Sequence, residues 1–222
     1  MGLAHKVART IVHVRALRSA VLDSGRISFQ RVGHAGLAEV GAFRIRHYRD
    51  SASAYLLDQL DANGLDDLDA SSFVYVARSG GQIVATLRAV PAPFELDHYV
   101  PRERLQAAVG GDLDRYVEVS RMLADPRLAK RGIGSATVGF GGIDLLMNTK
   151  YRGYFAYVRL VGDRPETRFP GASTVLKFQI PARGSHEYAV MAGTIGIDAL
   201  WRGIGRIRTI SGRRTLAPQE HS

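Results

Sequence analysis

The chain of 222 residues has no cysteine, a single tryptophan and a deficit of acids, with 30 lysines and arginines against 21 aspartates and glutamates and a net charge of +9. Without cysteine there is no disulfide, no cysteine-type zinc site and no thiolate nucleophile. No apolar run approaches the roughly 18 residues needed to span a bilayer, so the pattern is that of a soluble globular chain. Several signatures are also missing. There is no Gly-x-Ser-x-Gly elbow, no His-Glu-x-x-His and no Gly-Lys-Ser/Thr phosphate loop, which removes serine hydrolases, zincins and Walker-type NTPases. Seven histidines are scattered along the chain without ligand spacing. What remains is a chain long enough to bury one domain's core, with a basic surplus that attracts something acidic.

The stretch that concentrates chemistry is Tyr116–Ala136, YVEVSRMLADPRLAKRGIGSA. A β-branched and aromatic run at Tyr116–Val119 passes through Ser120, Arg121 and an Asp125-Pro126 break into Arg131-Gly132-Ile133-Gly134. That order predicts a strand, a tight basic loop and a helix N-terminus. Free backbone N–H groups at a helix start, with Arg127, Lys130 and Arg131 just ahead of it and Gly132 and Gly134 within it, suit an anionic phosphate. The dinucleotide fingerprint stops short, because Thr137 stands where its third glycine or alanine belongs. Glu118, on the strand, is a carboxylate able to move a proton beside that cradle.

Around this centre the chain reads as follows. Residues 3–22 place Val7, Ile11, Val14, Leu17 and Val21 at steps of three and four, with Lys6, Arg9, Arg15 and Arg18 outside the stripe, which predicts a basic amphipathic helix. Such a helix packs on its own domain or docks on a membrane surface or partner. No continuous apolar stretch or small-residue cleavage site follows its charges, so it is not read as a secretory signal. Ser24–Gly41 reads as a linker, Phe43–Tyr48 as a first strand, Ser51–Leu60 as a short helix and Asn63–Asp69 as an acidic turn. Phe73–Ala77 and Gln82–Val90 flank Arg78-Ser79-Gly80-Gly81, a hairpin signal because Gly-Gly supplies the positive φ angles of a tight turn. A helix is expected around Arg102–Val109 and another over Ser135–Met147, whose glycines 139, 141 and 142 suit close packing on a sheet or a slim ligand. Strands follow at Tyr154–Leu160 and Glu187–Ile195, with Arg164–Phe178 ambiguous. The tail from Gly196 holds Trp201 among arginines 202, 206, 208, 213 and 214. The division is therefore a basic arm and linker at 1–40, a domain at 41–195 and a basic extension at 196–222.

This order of motifs resembles the GNAT superfamily of acyltransferases over Phe43 to Ile195. Three details are similar to its acyl-carrier-protein-dependent branch, which includes acyl-homoserine-lactone synthases, N-acyl amino acid synthases and ornithine acyltransferases. Asp66-Asp67-Leu68-Asp69 matches the Asp-x-x-Asp ahead of the hairpin, Arg88-Ala89-Val90-Pro91 the Arg-x-x-Pro ending it, and Glu118-Val119-Ser120-Arg121 the Glu-x-Ser-Arg of the central strand. The resemblance does not extend to the S-adenosylmethionine residues, an Arg-x-x-x-Phe pattern and a tryptophan ahead of the acidic motif, which are missing between Phe43 and Leu65. An acceptor with a free α-amine is therefore expected, and no homoserine lactone. The acetyl-CoA branch has Gln or Arg three residues before the first loop glycine, where Ala129 stands here.

The resemblance implies an α/β (α+β) fold: a GNAT-like mixed, mostly antiparallel twisted sheet flanked by helices and splayed between its fourth and fifth strands. It implies transfer of a fatty acyl group from acyl-carrier protein to an amino acid or similar small amine, with no bound cofactor or metal and an acyl-phosphopantetheine thioester, acyl-ACP or alternatively acyl-CoA, as co-substrate. Lacking cysteine, such an enzyme transfers directly or through an oxygen nucleophile. Glu118 is the expected base, directly or through a water, with Arg121 beside it; Arg127, Lys130, Arg131, Gly132 and Gly134 hold the donor. Strict alternation places Glu118 and Ser120 on one sheet face and Arg121 on the other, unless a β-bulge resets the phase. A second role stays open to Asp66, Asp69, Arg88, Glu118 and Arg121, as an ion-pair network holding the hairpin against the central strand. A CoA-dependent enzyme, or a non-catalytic GNAT-fold module binding membrane or an acidic partner, are the alternatives. The expected location is cytoplasmic with peripheral membrane contact, and nucleic acid is the weakest partner because no recognition motif interleaves the basic residues.

Overall fold

The computed structural model describes residues 27–196 apart from 50, 52–53, 130–131, 167–168 and 170. The amphipathic arm at 3–22, the tail with Trp201, and Lys130 and Arg131 lie outside the described residues.

Eight strands form one mixed sheet: β1 (Ile27–Val32), β2 (Phe73–Ser79), β3 (Gln82–Val90), β4 (Tyr116–Ala124), β5 (Gly153–Val161), β6 (Arg164–Pro165), β7 (Ser173–Gln179) and β8 (Glu187–Thr194). Their order is β1-β2-β3-β4-β5-β8-β7, with β6 a short addition on β5. Every pairing is antiparallel except β4 with β5. The β2–β3 hairpin closes through Gly80 and Gly81, at φ 57° and 81°, with Ser79 opposite Gln82. The four main helical segments are α1 (Leu37–Arg49), α2 (Arg102–Val109), the one-turn α3 (Pro126–Ala129) and α4 (Ile133–Asn148).

Alternation along the strands sorts the core into two faces. Tyr75, Leu87, Ala89, Val117, Val119, Tyr154 and Ala156 pack with Leu145 of α4 on one face. On the other, Val74, Val76 and Ile83 meet Leu37, Val40 and Phe43 of α1, while Phe155, Tyr188 and Val190 meet Leu105 of α2 together with Phe94 and Leu96. The glycines of α4 admit the predicted close approach: a Cβ on Gly141 would stand 3.0 Å from the Tyr75 ring.

Two expectations at the start of the chain are corrected. Phe43–Tyr48 is helical, within α1. Its buried residues Leu37, Val40, Phe43, Arg44 and Tyr48 follow helical steps, Arg44 being buried against Asp69. Ser24–Gly41 is not a linker over its described part, since β1 pairs with β2 and α1 begins at Leu37. Gly41 has a packing reason instead, because a Cβ there would lie 1.9 Å from the Asn63 carbonyl oxygen. That contact seats the acidic turn against α1. Ser51–Leu60 is represented by a 3₁₀ turn at Ala54–Gln59, and the ambiguous stretch contains β6 and β7.

Candidate active site

The parallel pairing of β4 with β5 runs only through Tyr116–Gly153, Val117–Tyr154 and Glu118–Phe155. Beyond Glu118 the two strands part, β5 staying with β8 out to Arg159. The edge of β4 from Val119 onward therefore faces a gap, where backbone N–H groups are free of the ladder. A cavity of ≈180 Å³ sits in that gap, lined by Val119, Ser120 and Arg121 of β4 and Tyr157, Val158 and Arg159 of β5. Tyr55, Glu95 and Arg183 are also on its wall. It is smaller than the roughly 300–1,000 Å³ of drug-sized ligand pockets, so it suits a compact molecule or a reacting end.

A bulge sets which side chains reach this place. Arg88 pairs with Ser120 and Thr86 with Leu123, so β4 carries one residue more than β3 between those rungs. Arg121 takes φ 49°, the only positive φ of a non-glycine residue among the described residues. Thr86 Oγ1 donates to the Arg121 carbonyl at 3.4 Å, tying the bulge to β3. The phase reset brings Arg121 to Asp66, a carboxylate it shares with Arg88.

Those side chains form a buried network. Arg44 grips Asp69 with two bonds of 2.6 and 2.9 Å. Arg88 pairs with Asp66, donates to Glu95 Oε2 at 2.7 Å and to Ser120 Oγ at 3.0 Å, and lies 3.5 Å from Asp69. Arg121 donates to Asp66 Oδ2 at 2.8 Å and to Gln59 at 3.2 Å. Arg44, Arg88 and Arg121 are thus balanced by Asp66, Asp69 and Glu95. Burial works to raise the Asp69 carboxyl, but Arg44 and Arg88 hold it below the usual carboxylate range. Removing one member of such a network leaves a charge buried without a partner, at a cost of about 3–5 kcal/mol.

Glu118 is the carboxylate outside this balance. It is 0 % exposed, Oε2 accepts from the Leu96 N–H at 3.0 Å, and Oε1 has no hydrogen-bond partner. Burial first, and then the nearby charge of Glu95, push its pKa up to about 8. It therefore carries a proton at neutral pH. Glu95, on the cavity wall, accepts from Arg88 and, through Oε1, from the Tyr157 hydroxyl at 2.7 Å. Burial and Glu95 raise the Tyr157 phenol, keeping it a donor.

The predicted donor residues lie at the β4–α4 connection. Gly132, at φ 81°, caps the N-terminus of α4, a left-handed position that glycine takes without strain. Gly134 is the second residue of α4. Arg127 is 87 % exposed at its side chain and bonded to Asp125 at 2.6 Å, which holds that carboxyl down to about 2.

The structure thus brings Asp66, Asp69, Arg88 and Arg121 together, sets Glu118 behind them and keeps Arg127, Gly132 and Gly134 in a separate group. The sequence reading missed Glu95, Arg44, Tyr157 and Arg183. Glu95 lies between buried Phe94 and Leu96, which is a weak signal. Arg44 and buried Tyr48 form Arg44-Ile45-Arg46-His47-Tyr48, which a strict Arg-x-x-x-Phe pattern passes over because tyrosine stands last. No group of metal-ligating side chains occurs among the described residues.

No protein-family model matches the chain, and no curated protein matches its sequence. Solved structures do match its fold. The CoA-dependent acyl-homoserine lactone synthase BjaI, solved with SAM and isopentyl-CoA, superimposes with a TM-score of 0.62 at 12% identity, covering 88% of this chain and 94% of that one. MesI, another CoA-dependent acyl-homoserine lactone synthase, gives 0.56 at 13% identity over 85% and 97%. A Desulfovibrio desulfuricans protein described as an acetyltransferase of the GNAT family gives 0.55 at 12% identity over 77% and 99%. The fold, a mostly antiparallel eight-stranded sheet flanked by helices with a parallel β4–β5 pair, is the GNAT fold.

Proposed function

We propose that the chain is an N-acyltransferase that moves a fatty acyl group from acyl-carrier protein to the amine of an amino acid or similar small molecule. The observation that carries this reading is the parting of β4 from β5 beyond Glu118, which opens free strand edge onto a cavity walled by carboxylate and guanidinium groups. An acyl-pantetheine arm entering the gap gains backbone donors from β4. Its phosphate goes to the start of α4, at Gly132 and Gly134 with Arg127, Lys130 and Arg131. The acceptor nitrogen attacks the thioester carbonyl; the C–N bond forms, the C–S bond breaks, and the thiolate takes up a proton as it leaves. Donors aimed at the developing oxyanion, and a group to take the ammonium proton, lower that barrier.

Glu118 is too deep to touch an amine itself. We assign proton removal to the pair it forms with Glu95, in which Glu95 faces the acceptor and Glu118, coupled to it by charge, stands behind. Arg121 and Arg88 fix the carboxylates around them.

The CoA thioester is the second reading for the donor, favoured by the CoA-dependence of BjaI and MesI, which share the fold. The basic surplus favours the acidic carrier protein. Mass spectrometry of small lipids made on heterologous expression, followed by transfer assays with matched acyl-ACP and acyl-CoA, tests both. N-acyl amino acids are the expected products. Acyl-homoserine lactone with methylthioadenosine as co-product would overturn the choice of acceptor.

A further inference from the structure

Arg183 stands apart from the other cations of the cavity. Arg121 is paired with Asp66, and Arg159 is held by Glu166 through two bonds of 3.1 Å. Arg183 makes no ion pair among the described residues. It donates to the Tyr157 hydroxyl at 3.3 Å and the Tyr99 hydroxyl at 3.2 Å, and its guanidinium carbon lies 5.2–5.9 Å from the ring centroids of Tyr55, Tyr99, Tyr157 and Tyr188. Ring faces and phenol oxygens hold a guanidinium in place, yet they are neutral and leave its charge without a counterion among the described residues. Two of its five N–H donors are used in long bonds, and the group is half-buried on the wall of a small cavity.

A group complementary to this guanidinium is a planar anion small enough for that cavity, which a carboxylate is, and a guanidinium binds one through two parallel bonds. Arg183 is also joined to Glu95 through one atom, because the Tyr157 oxygen accepts from Arg183 and donates to Glu95. A free cation and a carboxylate thus flank the same phenol, complementary to the carboxylate and ammonium ends of an α-amino acid.

We propose that Arg183, held by its four tyrosines, binds the carboxylate of the acceptor, so that the acceptor class is free α-amino acids and not neutral amines or amino acid amides. The inference rests on the acyl-acceptor reading of this cavity. It adds the residue that selects the acceptor.

The test compares the full-length protein with Arg183→Gln and Arg183→Lys, using the twenty common amino acids and their carboxamides as probes. Ligand-observed NMR should show the wild type binding one or more free acids and not the matching amides, with acid binding lost in Arg183→Gln and partly restored in Arg183→Lys. In transfer assays the wild type should prefer the acid by at least about tenfold in kcat/KM, as expected for a charged hydrogen bond. Arg183→Gln should bring that acid-to-amide ratio to about one, mainly through KM. Equal use of acid and amide by the wild type overturns the proposal, as does an unchanged ratio in Arg183→Gln or no amino acid binding at all. Amino acid binding that depends on Arg183 without any acyl transfer would instead reject the acyltransferase reading and leave the carboxylate site standing.

Discussion

Replacing Glu118 with glutamine separates catalysis from stability, because the two should move in opposite directions. The Glu118 carboxyl is fully buried, its pKa is raised from 4.5 to about 8, and only one oxygen has a partner. The sign follows from proton counting. Between the unfolded value near 4.5 and the folded value near 8, the native state holds a proton that the unfolded state has released, so stability falls as pH rises through that window. At about 1.36 kcal/mol per pKa unit, the burden at pH 7 is on the order of 3 kcal/mol, and it grows further toward pH 8. Glutamine is neutral at every pH and keeps a carbonyl oxygen for the Leu96 N–H. Glu118→Gln should therefore melt higher than the wild type at pH 7, by about 6–12 °C at roughly 2–4 °C per kcal/mol for a chain of this size. The gap should close near pH 4.5.

Turnover should fall meanwhile by less than the roughly 10²–10⁴ of a general base that touches the amine, because Glu118 acts from behind Glu95, with carrier binding nearly intact and a deficit that shrinks as pH rises and more of the amine is already deprotonated. Thermal melting from pH 4.5 to 8.5 beside single-turnover transfer makes the comparison. If Glu118→Gln melts lower than the wild type at pH 8, the burial argument is wrong. If its residual activity merely tracks the folded fraction, Glu118 has no part in proton removal and its role is structural.

Arg121→Lys loses the fork that spans Asp66 and Gln59 and should cost about 1–3 kcal/mol in chemical denaturation, with the activity loss following stability. Gly41→Ala places a methyl group 1.9 Å from the Asn63 carbonyl oxygen, so the turn carrying Asp66 and Asp69 must move; destabilisation of about 1–3 kcal/mol and a fall in transfer beyond the folded fraction are expected from melting and steady-state kinetics. Activity with acyl-carrier protein should exceed that with the matching acyl-CoA and drop steeply with salt, since the attraction between opposite surfaces is screened over about 8–10 Å. Alanine at Arg127, Lys130 and Arg131 together should raise KM for the carrier more than for the amine, and salt-independent, equal use of acyl-CoA would refute the carrier reading.

Local chemistry was enough to read several elements directly. The Gly80-Gly81 turn forces positive φ angles wherever it falls, so the hairpin was legible, and the helices Arg102–Val109 and Ile133–Asn148 follow patterns that need no distant partner. The pairs Asp66 with Asp69, Arg88, and Glu118 with Arg121 could be singled out by residue type and spacing. Their roles could not be separated, because an ion-pair network and a reaction centre use the same residues. Which of them pair with one another is visible only in the tertiary structure. The extra residue in β4 turned Arg121 toward Asp66, which depends on register against β3 and leaves no mark in the sequence. Arg44 is buried on α1 because its charge is cancelled by Asp69, twenty-five residues away. Glu95, Tyr157 and Arg183 come from a 3₁₀ turn, a strand and a second 3₁₀ turn far apart in the chain, and their meeting at the gap is a property of sheet order and splay. Sequence patterns record which residues can be buried or charged; which charges end up facing one another is set by long-range packing.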